Sequence, residues 1–167
     1  VGTPWVWVDG VEGSGVSELF EGKLPKKAIS DEALRDSLVL LAQKGITMTH
    51  AMGLTTEGVE RLRQLDEAQA LPVRVVGFWW ENVPPGAEPD PLPESGVWRF
   101  AMRGVKVMMD GALGSRGAWL SRAYSDAPNV FGGPLTDVDE LTRTAKNAHD
   151  RGFQVAVHAI GDRGNEE

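Results

Sequence analysis

Helix-like and strand-like segments alternate along this chain, with short joints from helix to strand and long joints from strand to helix. Parallel strands cannot be joined by tight turns, so each pair needs a crossover, usually a helix packed on the sheet. Ser30 caps a first helix, with Asp31 and Glu32 in its first turn and Leu34, Leu38 and Leu41 at helical spacing before Gly45. A strand follows over Ile46–His50, a second helix over Thr56–Ala70, and a β-branched and aromatic strand over Val73–Trp80. Residues 82–96 hold five prolines and predict a long loop. Val105–Asp110 is the next strand. Thr136 caps a further helix, which ends at Gly152, and Phe153–Ala159 is the fourth strand. The fold class is therefore α/β, part of a (β/α)8 TIM barrel with parallel strands and crossover helices. A full barrel takes eight strands and roughly 250 residues. Residues 1–29 read as an irregular N-terminal segment, and residues 30–167 as the barrel portion, with about four strands.

Composition narrows the function. The formal net charge is −7 and the chain holds no cysteine. An acidic balance without clustered Lys and Arg excludes a nucleic-acid surface. The lack of cysteine excludes disulfides and thiolate metal sites, and fits a reducing, cytoplasmic compartment. No apolar run is long enough to span a bilayer, and the opening VGTPWVWVDG predicts no secretory leader. No membrane partner is expected, and the partner class that remains is a small-molecule substrate.

Chemistry concentrates at strand ends. In Val105–Asp110 the alternation of faces puts Val105, Val107 and Met109 under the helices, and Lys106, Met108 and Asp110 towards the interior. A lysine inside a strand needs a task or a partner, and a snorkelling, salt-bridged Lys is the plainer alternative. In the fourth strand Gln154, Ala156 and His158 share the inner face, and His158 lies at the C-terminal end, where barrel enzymes keep their active sites. A lone His is more often a hydrogen-bonded core residue; a second inward polar residue, Lys106, favours function. The glycines of Asp110–Gly117 free backbone N–H groups for a ligand, and Arg116 offers an anion site, although from the glycines alone a tight surface turn is the favoured reading. His50 ends the first strand, where it lines a site or bonds a loop. His149, near a helix end, reads as solvated and complementary to the helix dipole.

VKVMMDGALGSRGAWL (Val105–Leu120), AYSDAPNVFGG (Ala123–Gly133) and QVAVHAIGDRGNEE (Gln154–Glu167), in that order, resemble the YtcJ-like branch of the amidohydrolase superfamily. GITMTHAMG (Gly45–Gly53) is similar to that branch's earlier strand. The resemblance runs from about Gly45 to the C-terminus. It implies a metal-dependent hydrolase of amide or other C–N bonds, acting through metal-activated hydroxide on a TIM barrel. It makes Lys106, often carbamylated in the family, and His158 metal ligands, and His50, Asp110, Arg116 and Asp162 substrate-binding or supporting residues. The cofactor implied is a divalent metal, Zn2+ by donor type, binuclear in the full-length parent.

Departures limit what the chain can do by itself. The family's first-strand HxH pair is absent, since the three histidines are His50, His149 and His158, and Ala51 stands where the family commonly has Asp. The strand-six His and the strand-eight Asp, the usual base, are expected beyond Glu167. The chain is thus expected to be a fragment, inactive as supplied, with no catalytic residue retained, and to form homo-oligomers through its open edges. A Schiff-base aldolase or lyase using Lys106, with Gly111–Gly117 around a phosphate, and a non-catalytic half-barrel module are the competing classes.

Overall fold

A computed structural model describes residues 30–92 and 98–167. The expected irregular segment 1–29 and residues 93–97 of the proline-rich loop lie outside the described residues. The chain divides into two compact units. Among the described residues, the sheet unit comprises residues 30–92 and 98–107 with Asp139–His158, and the loop unit Met108–Val138 and Ala159–Glu167.

The elements of the sheet run α1 (Asp31–Gln43), β1 (Met48–Leu54), α2 (Thr56–Glu67), β2 (Arg74–Trp80), β3 (Phe100–Met108), α3 (Val138–Asp150) and β4 (Gln154–His158). Strand order is β1-β2-β3-β4, and β1 with β2 and β2 with β3 pair in parallel. The class is α/β, as the alternation predicts. Caps set the helix starts: Ser30 Oγ accepts the Ala33 N–H at 3.1 Å, and Thr55 Oγ1 accepts the Gly58 N–H at 3.3 Å. One face of the sheet packs against the helices. Leu38 of α1, Leu62 of α2 and Ala148 of α3 share a core with Val75, Trp79, Val105 and Val107.

Strand boundaries depart from the sequence reading in an instructive way. β3 begins at Phe100 rather than Val105. Its register to β2 steps from Gly77↔Met102 to Phe78↔Gly104, leaving Arg103 as an unpaired extra residue. Phe100 and Met102 therefore reach the same core as Val105 and Val107, although a strict alternation would separate them. β1 likewise runs to Leu54, with a register shift between Met52 and Leu54. α3 begins at Val138, so Asp137, not Thr136, immediately precedes it.

Among the described residues, no helix lies between β2 and β3. The described part of the proline-rich crossover is tied down by charge. Asp90 accepts the Met102 N–H at 2.7 Å and both oxygens take the Arg63 guanidinium at 2.9 Å. Arg151 donates to the carbonyls of Val83 (3.3 Å), Pro84 (2.9 Å) and Ala87, and lies over the Phe153 ring. These bonds stand in for the backbone pairing that prolines cannot make.

Candidate metal site

The sheet unit positions His50, Lys106 and His158. In β1, Met48, His50 and Met52 are exposed while Ala51 packs against the core, so the histidine stands on the face away from the helices. Its ring lies 5.8 Å from that of Phe78 on the next strand. In β3, Val105 and Val107 are buried and Lys106 and Met108 are half-buried, which is the alternation expected for this stretch. Trp80 is the register partner of Lys106, and the Glu81 N–H donates to the Lys106 carbonyl at 2.8 Å. Burial holds the Lys106 amine below the usual lysine range. A neutral amine is the form that adds CO2 or a carbonyl, so its surroundings favour the reactive state. His158 is the last residue of β4, half-buried, with its Nε2 shielded from solvent. Two nitrogen-bearing side chains thus sit towards the ends of neighbouring strands.

The loop unit holds Asp110, Arg116 and Asp162, and its organisation was not legible beforehand. Asp110 is completely buried. Its carboxylate accepts three backbone N–H groups: Trp119 at 2.8 Å, Ile160 at 2.9 Å and Gly161 at 2.7 Å. Gly161 precedes a short helix, α4 (Asp162–Glu166), and a Cβ on it would collide with the Trp119 carbonyl. Asp162 accepts the Ser121 N–H at 2.9 Å and the Ser121 hydroxyl. Arg116, expected to offer an anion site, meets one from its own chain: its guanidinium donates to Asp126 at 2.9 Å, on the surface. Tyr124, for which the sequence suggested no role, is buried and donates its hydroxyl to the Ala118 carbonyl at 2.9 Å. The first of the three sequence stretches is therefore tied to the second by Tyr124 and Asp126, and to the third by Asp110; Ser121, just after the first, bonds the third through Asp162.

These carboxylates make acid sensitivity testable. Hydrogen bonds from Arg116 hold Asp126, and those from Ser121 hold Asp162, below the ordinary aspartate value of 3.8. A carboxylate lowered on folding adds stability that is fully present above 3.8 and is lost as pH falls through its folded value. Amide exchange at Ser121, corrected for intrinsic rates, is expected to be unchanged between pH 7 and 5 and to accelerate below 3.8. Loss of protection already at pH 5 would contradict this.

Donor chemistry decides how far a metal fits. An imidazole and a lysine able to carry a carbamate suit a divalent ion. Among the described residues, no group of three or more His, Cys, Asp or Glu side chains is placed to hold one. Lys106 and His158 are of donor types that a divalent ion accepts, but two are fewer than it requires.

Residues 11–166 match the model of the amidohydrolase family. The chain is 43% identical over 69 residues to Protein LONG AFTER FAR-RED 3 of Arabidopsis thaliana, covering 41% of this chain and 12% of that protein. It is 45% identical over 58 residues to the putative amidohydrolase YtcJ of Bacillus subtilis (strain 168), covering 35% of this chain and 11% of the relative. An uncharacterized metal-dependent hydrolase from Pyrococcus horikoshii OT3 superposes with a TM-score of 0.74 at 24% identity, over 90% of this chain and 31% of that one. A second, from Pyrococcus furiosus, gives 0.74 at 22% identity, over 90% and 33%. At such identities the likeness is one of fold. The chain spans about a third of these structures.

Proposed function

The chain belongs to the amidohydrolase family, and from that premise we propose that it forms part of a metal-dependent hydrolase barrel that cleaves amide or related C–N bonds of a small molecule. The observation that carries this reading is the placement of Lys106 and His158 towards the ends of neighbouring strands β3 and β4. Lys106 would contribute through a carbamate, which converts a cation into an anionic two-oxygen donor; His158 would contribute an imidazole nitrogen. A divalent ion held there, Zn2+ by donor type, supplies Lewis acidity towards a carbonyl and activates water. His50, on the same sheet as both, lines the approach beside Phe78. The solved hydrolases that it resembles in fold are about three times as long as this chain, and further ligands and a base would be supplied by the rest of such a chain.

Zinc titration of the chain, followed by isothermal calorimetry, tests the reading. Weak, chelator-reversible binding is expected, with Lys106 an unmodified amine in the metal-free chain. His158→Ala is expected to abolish the response, and Lys106→Ala to weaken it at least tenfold in the presence of bicarbonate. Zinc binding indifferent to both substitutions would sink the assignment. Reductive trapping of an aldehyde substrate on Lys106 by borohydride would instead favour the Schiff-base class.

A further inference from the structure

We infer that Asp90 and Arg103 form a register lock on β3, which lets both halves of the strand bury apolar side chains against the helices while Lys106 is turned to the opposite face. All the residues involved belong to the sheet unit. Faces alternate along a strand, so counting by twos from Met102 would place Gly104, Lys106 and Met108 with it. Phe100 and Met102 lie in the helix-side core. A regular strand would therefore drive Lys106 into that core and Val105 and Val107 out of it. The unpaired Arg103 restarts the count, and Val105 and Val107 join Phe100 and Met102. The bulge is thus what aims the lysine, irrespective of what its amine binds.

A bulge stays in place only where both its flanks are held. Downstream, Gly104 sits opposite Phe78, where a Cβ would meet the Phe78 ring and come within 2.7 Å of the Gln154 carbonyl oxygen. A one-residue slip that set Arg103 opposite Phe78 would put a long side chain into that space. Upstream, the hold is Asp90. Its N–H donates to the Met102 carbonyl at 2.9 Å, and its carboxylate accepts the Met102 N–H at 2.7 Å. Asp90 thereby takes the part of a neighbouring strand for the one residue before the bulge. The Arg103 guanidinium returns the contact, donating to the Asp90 carbonyl at 2.6 Å. Arg63 of α2 holds both oxygens of the same carboxylate at 2.9 Å and lies over the Phe100 ring. Charge-assisted bonds of this kind are the stronger ones, and each backbone group left without its partner is costly.

The chain contains no cysteine, so a single introduced thiol reports on one position. Met102→Cys and Val107→Cys place it at buried positions on either side of the bulge, where a maleimide reacts only when that part of the strand opens. Lys106→Cys, on the other face, should label at least about tenfold faster than Val107→Cys; equal rates would show that the lysine is not aimed as described. Asp90→Ala is expected to speed labelling at position 102 at least about tenfold and at 107 by less than about threefold. Asp31→Asn, which breaks the exposed ion pair between α1 and Arg61, should change neither. Equal acceleration at 102 and 107 would show a general loss of stability, and no acceleration at 102 would show that Asp90 holds nothing there; either result overturns the inference. Deletion of Arg103 removes the bulge and leaves the faces of both halves as they are. In that background Asp90→Ala should speed position 102 by less than about threefold. An undiminished effect would mean that Asp90 supports the strand but does not lock its register. If Asp90→Ala does not fold, Asp90→Asn keeps the backbone bond to Met102, and the same comparison of 102 with 107 decides.

Discussion

Gly104→Val is expected to destabilise the sheet by about 4 kcal/mol or more, enough to leave much of the chain unfolded at room temperature. Gly104 is the register partner of Phe78 and lies two residues before Lys106 on the same face of β3. A Cβ there would collide with the Phe78 ring and come within 2.7 Å of the Gln154 carbonyl oxygen on β4. The ring can shift, but the carbonyl belongs to the sheet backbone and cannot. Phe78 also meets His50 at 5.8 Å, so its ring forms the floor between that histidine and the lysine's strand. Relief of the first collision should recover part of the loss: Gly104→Ala in a Phe78→Leu background is expected to cost less than the sum of the two single changes. Urea unfolding followed by circular dichroism measures each variant. A Gly104→Val chain with a midpoint near that of the unsubstituted protein would show that β3 and β4 are not held as closely as described.

The parts of the fold that sequence made legible are those where a side chain's surroundings depend on near neighbours. Ser30 reads as a cap because its partner, the Ala33 N–H, is three residues away. Lys106 reads as facing away from the helices because Val105 and Val107 flank it with buried apolar groups. The same logic failed for Phe100–Gly104, where the extra residue Arg103 resets the alternation and no local pattern announces it. The site divides along the same line. Alternation alone puts Lys106 and His158 on an inner face near strand ends, and only the family resemblance makes them candidate ligands. The bonds of Asp110 were not legible, since its partners Ile160 and Gly161 are 50 and 51 residues away and offer backbone N–H groups, which every non-proline residue has. Arg116 has a partner that its neighbours in sequence do not announce either. A cation beside glycines suggests a bound anion, and the chain supplies that anion itself as Asp126.

Self-association is the other large effect expected. The sheet face that carries Lys106 also carries Met48, Met52 and Trp80, exposed by 46%, 47% and 41%. These are large apolar groups on adjacent strands, and nothing in the sheet unit's own helices packs on that side. β1 and β4 are the outer strands among the described residues, so each also has a line of backbone groups without a strand beside it. Covering several hundred Å2 of such surface at roughly 25 cal/mol per Å2 is worth on the order of 10 kcal/mol before the cost of association. That is ample to hold two copies together at micromolar concentration. The 167-residue chain is therefore expected to sediment as a homo-oligomer, most simply a dimer, over a micromolar dilution series. Met52→Lys and Trp80→Glu place charge on the face without entering the core, and both are expected to move the equilibrium towards monomer while raising the urea midpoint little or not at all. A compact monomer at micromolar concentration that stays unchanged on these substitutions would mean that the face is not an association surface. In a longer chain of the same family the additional strands would occupy it instead, and the substitutions would then lower stability rather than change assembly.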